Sequence, residues 1–251
     1  MTTYSHSRVE CFNFCQYKYK LQYVDKLDVL FDGEPSNPLV IGSAMHLGIE
    51  RGIDECEVFY KSYYPLLTDS HYNELIKFEE LIPKIEKVIN RNNCKFEEEI
   101  KTDDFIGYID IIECNDDETV NIYDFKYSNE IDKYLKSPQI HLYKYYFEQL
   151  HQGLKVNKMG YIFIPKITIK QKKTEILAQF RIRLVSELRK SEVKKIEVDY
   201  NPLLVEEFKK NIKKIENTKD YEKCDDDNIC RFCGFNSFCK KGFTYDLVHK
   251  N

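Results

Sequence analysis

The chain has 251 residues, of which 42% are hydrophobic and 32% charged, and its formal net charge is −4. This composition is that of an ordinary globular protein with a sizeable core, and the acidic balance argues against indiscriminate binding to nucleic acid. Because no apolar run reaches the ~20 residues of a membrane span and the N-terminus lacks the apolar core of a signal peptide, we expect a cytoplasmic protein.

The first predicted helix covers residues 5–23 and is capped by Ser5 or Ser7. Its apolar and aromatic side chains recur every three or four residues, so they form one face. A loop rich in Gly, Pro, Asn and Asp follows at 32–38.

A second helix is predicted within 39–52, beginning near Gly42, and it carries His46. A helical histidine is commonly a core or surface residue, so His46 does not by itself indicate a ligand. Further helices are expected over 54–64 and 70–91, with Pro83 kinking or breaking the latter.

Three strands are predicted next, over 94–101, 105–113 and 119–127. The last two each hold one acid among apolar neighbours, Asp110 and Asp124, and Lys126 follows two positions later. Residues i and i+2 of a strand point to the same face, so Asp124 and Lys126 project together. Two carboxylates can hold a hard cation such as Mg²⁺, and a neighbouring ammonium can orient an attacking water. The pattern indicates metal-assisted phosphodiester hydrolysis; the alternative is that both acids are simply solvated.

A further helix is predicted over 137–152, with Ser137 as its N-cap and Pro138 at its first position. On this helix Gln139 and Tyr143 lie one turn apart on the same face. The remaining predicted elements are a strand over 157–165, a helix over 174–190, a short strand over 194–200, and a helix from Asn201-Pro202 to about 217.

Charge is unevenly distributed along the chain. Residues 94–132 hold thirteen acids against three lysines, and residues 166–195 hold ten Lys and Arg against three Glu. An acidic metal site and a basic segment together suit a ligand with a phosphate backbone. The alternative for the basic segment is a solvated face.

The C-terminal part carries a cysteine motif, C-x₂-C-x₅-C, formed by Cys230, Cys233 and Cys239. Nine cysteines in a reducing compartment are more often metal ligands or buried thiols than disulfides. The motif therefore predicts a metal or cluster site with three local ligands and one remote ligand. Zinc and a [4Fe–4S] cluster both accept four thiolates, and the spacing does not separate them.

Six short motifs in this order resemble those of the PD-(D/E)XK nuclease superfamily. Within it they resemble the RecB-like exonucleases that carry an iron–sulfur cluster, which include the CRISPR-associated RecB-like exonuclease and the nuclease domains of AddB-type helicase–nucleases. The motifs span nearly the whole chain and are Ser7 to Cys15, Gly42 to His46, Gly107 to Asp110, Asp124 to Lys126, Gln139 to Tyr143, and the terminal cysteine motif.

The resemblance implies an α/β fold with a central mixed sheet flanked by helices, and a Cys-rich iron–sulfur module that joins the two ends of the chain. It implies one nuclease domain over 1–251. In that domain the terminal segments 1–38 and 218–251 are linked by the cluster, and 39–217 contain a helical insertion and the nuclease core.

The resemblance also implies roles for individual residues. The ligands of Mg²⁺ or Mn²⁺ would be His46, Asp110, Asp124 and the carbonyl of Phe125. Lys126 would position the attacking water and stabilise charge at the phosphate, beside Gln139 and Tyr143, which would support the site or contact DNA. The cluster ligands would be Cys15, Cys230, Cys233 and Cys239, with Cys11 and Cys224 as competing candidates for the fourth position.

The function implied by the resemblance is a metal-dependent deoxyribonuclease, expected to act as an exonuclease on single-stranded or end-containing DNA. A protein partner in DNA processing or CRISPR adaptation is compatible with it. Two alternatives remain at this point: a non-catalytic DNA-end-binding subunit of a larger complex, and a zinc-bound interaction module.

Overall fold

The computed structural model describes residues 2–242, 244 and 247–249, so the predicted terminal segment 218–251 lies partly outside the described residues. Its α-helices are α1 (His6–Phe14), α2 (Gln16–Tyr19), α3 (Pro38–Arg51), α4 (Ile53–Ser62), α5 (Asp69–Ile85), α6 (Ile131–Leu135), α7 (Gln139–Leu150), α8 (Leu177–Lys190), α9 (Pro202–Asn217), α10 (Asp227–Cys230) and α11 (Asn236–Lys241). Its strands are β1 (Leu27–Val29), β2 (Cys94–Lys101), β3 (Ile106–Cys114), β4 (Thr119–Tyr127), β5 (Lys155–Ile164), β6 (Lys194–Glu197) and β7 (Leu247–His249).

The chain forms two compact units. We call them the terminal unit, which comprises Met1–Asp32, Lys101–Gly107 and Asn201–Asn251, and the core unit, which comprises Gly33–Ile100 and Tyr108–Tyr200. The division differs from the predicted segments in three respects: α9 and residues 101–107 belong with the chain ends, and residues 33–38 belong with the core.

A five-stranded sheet in the order β2-β3-β4-β5-β6 organises the core unit. Strands β3 and β4 are antiparallel, β4 and β5 are parallel, and β5 and β6 are antiparallel, so the predicted central mixed sheet is confirmed. The parallel pair requires a crossover connection, which α6 and α7 provide. Strand β4 is the middle strand, and its residues Ile122–Phe125 are all buried.

The core of this unit is an apolar cluster that α3, α4, α5 and α8 form with the sheet. Among its fully buried members are Met45 on α3, Tyr60 on α4, Phe78 on α5, Leu184 on α8 and Ile162 on β5. The helix α7 packs against β4 and β5 through other buried residues. Burial of this kind fixes the register of β4, since a slip by one residue would turn its side chains to the opposite face.

The first predicted helix, over 5–23, is interrupted at Cys15, and this corrects the prediction. Ser5 caps α1 by accepting a hydrogen bond from the Arg8 N–H at 3.2 Å. Cys15 is extended, with φ −161° and ψ 114°, and its Sγ accepts a hydrogen bond from the Lys18 N–H at 3.4 Å. The chain then continues as α2 and a π-helical turn, Lys20–Val24. The apolar spacing predicted the helical face but not the cysteine that restarts the helix.

Other boundaries differ by a few residues. Helix α7 begins at Gln139, and Pro138 stands at its N-cap position, one residue later than predicted. Pro83 lies in the last turn of α5, which ends at Ile85 instead of extending to 91. The helix predicted after Asn201 begins as expected, because the Asn201 side chain accepts the Leu203 N–H at 3.1 Å.

The terminal unit pairs the two chain ends. Strand β1 is antiparallel to β7, and α1 packs against α9. Phe105, from the short 101–107 segment, is fully buried and packs edge-on against Phe208 with a ring separation of 5.8 Å. Within the described residues we find no helix with the length and apolar character to span a membrane.

Candidate active site

The two acids of the predicted hairpin meet at the centre of the sheet. Ile111 pairs with Tyr123, so the next step of the antiparallel register brings Asp110 opposite Asp124. Asp110 Oδ2 accepts a hydrogen bond from the Phe125 N–H at 2.7 Å, which fixes its carboxylate against β4. Asp124 is only 1% exposed. Burial, followed by the charge of Asp110, raises the pKa of the Asp124 carboxyl even though Lys126 lies beside it.

The ammonium of Lys126 lies directly beside Asp124, as the i and i+2 spacing predicted. Its Nζ is 2.6 Å from Asp124 Oδ2. This is a close charge contact rather than an aligned hydrogen bond, and in the described structure Oδ2 has no hydrogen-bonding partner. Burial alone would lower the pKa of Lys126, but Asp124 and Asp110 outweigh burial and raise it. Lys126 is therefore a cation at neutral pH.

A short hydrogen-bonded chain orients this lysine. Lys126 Nζ donates to Gln139 Oε1 at 2.9 Å, and Gln139 Nε2 donates to the Tyr143 hydroxyl at 2.9 Å. Both residues project from α7, the helix that packs against β4. Burial, followed by the charges of Asp124 and Asp110, raises the pKa of Tyr143, so its hydroxyl stays neutral. The predicted Gln-x-x-x-Tyr face thus reaches the Asp-x-Lys motif through Lys126.

His46 approaches the same acids from α3. Its Nδ1 lies 3.4 Å from Asp110 Oδ1, and its ring packs edge-on against Phe125 with a centroid separation of 5.9 Å. Burial lowers the pKa of His46, but Asp110 and Asp124 more than offset burial, so the net shift is upward. The structure thus brings together residues from α3, β3, β4 and α7 that are up to about 100 positions apart in the sequence.

Sequence reasoning did not single out two tyrosines beside Lys126. The ring of Tyr134, on α6, lies 5.2 Å from Lys126 Nζ, and that of Tyr161, on β5, lies 5.9 Å from it. Tyr161 is the register partner of Asp124 in the parallel pair. Such rings favour the charged form of the lysine through cation–π attraction. Their role depends on strand pairing, for which the sequence holds no local signal.

The match to a family model decides the classification. A model of the PD-(D/E)XK nuclease superfamily matches residues 3–240, which is most of the chain. This chain belongs to the PD-(D/E)XK nuclease superfamily. The resemblance stated from the motifs is confirmed at that level, and no curated protein matches the chain significantly.

Solved structures resemble this superfamily member to differing degrees. A proposed exonuclease from Eubacterium rectale superposes with a TM-score of 0.56 at 12% identity, and the alignment covers 92% of this chain and 88% of that one. The protein SSO0001 aligns with a TM-score of 0.41 at 12% identity, over 97% of this chain and 89% of that one. At 12% identity, the likeness to the Eubacterium rectale protein concerns the fold alone.

The donor set of this superfamily member fits a divalent cation by its chemistry. Asp110 and Asp124 are adjacent carboxylates, and buried Oδ2 of Asp124 lacks an aligned hydrogen-bond donor. Oxygen ligands of this type suit Mg²⁺ or Mn²⁺. In the structure, His46 contacts the carboxylate of Asp110 and Lys126 contacts that of Asp124. In the part of the chain that the structure describes, no three His, Cys, Asp or Glu side chains are arranged to hold a metal ion.

Five of the six cysteines of the terminal unit line one pocket. It is lined by Cys15, Cys224, Cys230, Cys233 and Cys239. All nine cysteines of the chain are free thiols, and burial raises the pKa of Cys233. Cys11, on α1, does not line this pocket, and its Sγ contacts Gln22 Oε1 at 3.8 Å. It is nevertheless near these thiols: burial, with smaller contributions from Cys15 and Cys233, raises its pKa to about 11. The four predicted ligands therefore share a pocket with Cys224, whereas the second competing candidate, Cys11, points to Gln22.

Proposed function

We propose that this protein is a Mg²⁺- or Mn²⁺-dependent deoxyribonuclease that acts on DNA as an exonuclease. The observation that carries the proposal is the buried Asp124–Lys126 contact, which lies next to Asp110 and is oriented by Gln139. Two adjacent carboxylates in a buried site are costly to ionise, and a divalent cation offsets that cost. His46, Asp110, Asp124 and the Phe125 carbonyl would hold the cation.

The bound cation would supply a Lewis acid for the phosphate and acidify an attacking water. The protein's own residues supply orientation and charge. Lys126, protonated and held by Gln139, donates hydrogen bonds to the attacking water or to a phosphate oxygen on which negative charge develops. Tyr143 keeps the Gln139 amide turned so that its oxygen faces the lysine. The rings of Tyr134 and Tyr161 lie beside the ammonium and favour its charged form.

The test is Mn²⁺-dependent cleavage of end-labelled single- and double-stranded DNA by wild type, Lys126→Ala and Lys144→Ala. Lys144 is the matched control because it is another ion-paired lysine, 2.8 Å from Glu148 on α7. We expect cleavage by wild type and by Lys144→Ala, and none by Lys126→Ala. Ladders that shorten from one end would establish exonuclease action and its polarity. Absence of cleavage by folded wild type would overturn the proposal in favour of the non-catalytic, DNA-end-binding alternative.

The cysteine pocket supports a second part of this proposal, that the chain is of the RecB-like type with a structural [4Fe–4S] cluster on Cys15, Cys230, Cys233 and Cys239. Its support is the convergence of these thiols from both ends of the chain on one pocket. Nine free thiols suit a reducing compartment, and we propose a cytoplasmic location on that basis. Anaerobically purified protein is expected to be brown, with broad absorption near ~400 nm and four irons per chain. Colourless protein that contains zinc would favour the interaction-module alternative.

A further inference from the structure

The basic residues of segment 166–195 fall into two groups in the core unit. Those on α8 and β6 are largely neutralised within the protein. Arg181, Arg183, Arg189, Lys190 and Lys195 each have a side-chain nitrogen within 3.0 Å of a carboxylate oxygen. These cations stabilise the packing of α8 and the sheet, and little of their charge remains for a ligand.

The second group lies in the extended segment 165–173 between β5 and α8, which we call the basic strap. Its residues Lys166, Lys170 and Lys173 are exposed. No ion pair joins their ammonium groups to an acid among the residues that the structure describes. Ile167 and Ile169 lie between Lys166 and Lys170 and pack against the apolar core of the unit. Lys166 and Lys170 are thus exposed on the stretch that Ile167 and Ile169 hold to the protein, and Lys173 follows in the turn before α8.

Hydrogen bonds to the backbone anchor the strap at both ends. Near its start, Asn129 Nδ2 donates to the Lys166 carbonyl at 2.8 Å, and the Lys166 N–H donates to Asn129 Oδ1 at 2.9 Å. Near its end, Arg183 donates to the Lys170 carbonyl at 2.9 Å. These hydrogen bonds fix the main chain of the strap, and they do not involve the ammonium groups of Lys166, Lys170 and Lys173.

The strap starts beside the candidate active site. Lys126 is the register partner of Phe163 in the parallel β4–β5 pair, and Lys166 follows Phe163 by three residues. At the rise of an extended chain, this puts Lys166 roughly 10 Å along from Lys126. Asn129, the anchor of Lys166, follows the end of β4 by two residues. A row of exposed cations thus leads away from the strand that carries Asp124 and Lys126.

We propose that the basic strap binds the phosphate backbone of one DNA strand and guides it along the active-site edge of the sheet. This inference rests on the proposed nuclease function and names the path of its substrate. Exposed cations along an extended segment complement the row of negative charges on a nucleic-acid strand. Binding is independent of base sequence, because only phosphates are contacted.

The test measures binding of a fluorescent 20-nucleotide oligo-dT in EDTA across a salt series. The strap variant is Lys166→Gln, Lys170→Gln and Lys173→Gln. The matched control also removes three positive charges, but from paired residues, and is Lys158→Gln, Arg189→Gln and Lys190→Gln. A plot of log K against log salt has a slope of about −0.7 per phosphate contact on single strands. Because the strap variant lacks three such contacts, we expect its slope to be shallower than that of wild type by about 2. The control should retain the wild-type slope.

Cleavage kinetics give the second readout. The strap lysines contact the DNA strand at a distance from the phosphate that reacts. The strap variant should therefore have a higher KM and a kcat near the wild-type value. If wild type binds and cleaves DNA but the strap and control variants have equal salt slopes, the strap inference is overturned and the proposed function is left intact. A wild type that binds with the strap-dependent slope but never cleaves would overturn the proposed function alone. No binding by wild type at low salt would overturn the strap inference.

Discussion

Gln139 is the residue through which α7 acts on the candidate active site, and its removal is the sharpest test of that geometry. Its oxygen accepts from Lys126 at 2.9 Å and its nitrogen donates to Tyr143 at 2.9 Å. Gln139→Met keeps the length and apolar stem of the side chain but removes both hydrogen bonds. A hydrogen bond to a charged group contributes about 1.5–3 kcal/mol. Since 1.36 kcal/mol corresponds to a tenfold change in rate, we expect kcat/KM to fall about 10- to 150-fold.

The assay is single-turnover cleavage of end-labelled DNA with saturating Mn²⁺, accompanied by thermal unfolding to confirm that each variant is folded. Tyr143→Phe removes only the hydroxyl, and the Lys126–Gln139 hydrogen bond survives, so its loss should be smaller. The double variant should be no slower than Gln139→Met, because Tyr143 acts through Gln139. Wild-type rates in Gln139→Met, or losses that simply add in the double variant, would refute this account.

Three further predictions concern stability. Burial and Asp110 raise the pKa of Asp124 from 3.8 to about 6, so its ionisation opposes folding. In metal-free buffer Asp124→Asn should therefore melt at a higher temperature than wild type above pH 6 and lose that advantage below pH 4. Equal melting temperatures of the two proteins at pH 8 would contradict this prediction. Gly160→Ala would press a Cβ against the Ile196 backbone, so denaturation should show about 1–3 kcal/mol lower stability than wild type. Removing the proposed cluster opens a loop of more than 100 residues, worth about 4–5 kcal/mol in the chain-entropy account, and an unchanged melting temperature in apo protein would count against it.

The hairpin carrying Asp110 and Asp124 could be predicted from the sequence because its information is local. Apolar alternation defined the strands, and the two-residue period placed Asp124 and Lys126 on one face. Likewise Asn201-Pro202 marked the start of α9, since both the cap and the first-turn proline act within a few residues. The resemblance to the superfamily supplied the remaining grouping of His46 and Gln139 with these acids.

The features that the sequence could not predict depend on contacts between distant segments. Tyr161 reaches Lys126 only because β5 pairs in parallel with β4. The basic segment looked uniform in sequence, yet partners such as Asp69 and Glu80 on α5 neutralise α8 and leave the strap charged. The break at Cys15 follows from the capping of α2 by a thiol, which helix propensity does not anticipate.

The composition of the cysteine pocket has a consequence for biosynthesis. Cys15 leaves the ribosome about 200 residues before Cys224, the earliest of its pocket neighbours in the C-terminal part. At ordinary rates of translation this interval lasts about 10–40 s. During that time the Cys15 thiol has none of these partners and depends on the reducing power of its surroundings. Because the proposed cluster would protect these thiols only in the finished chain, oxidative stress during synthesis should lower the yield of cluster-loaded protein.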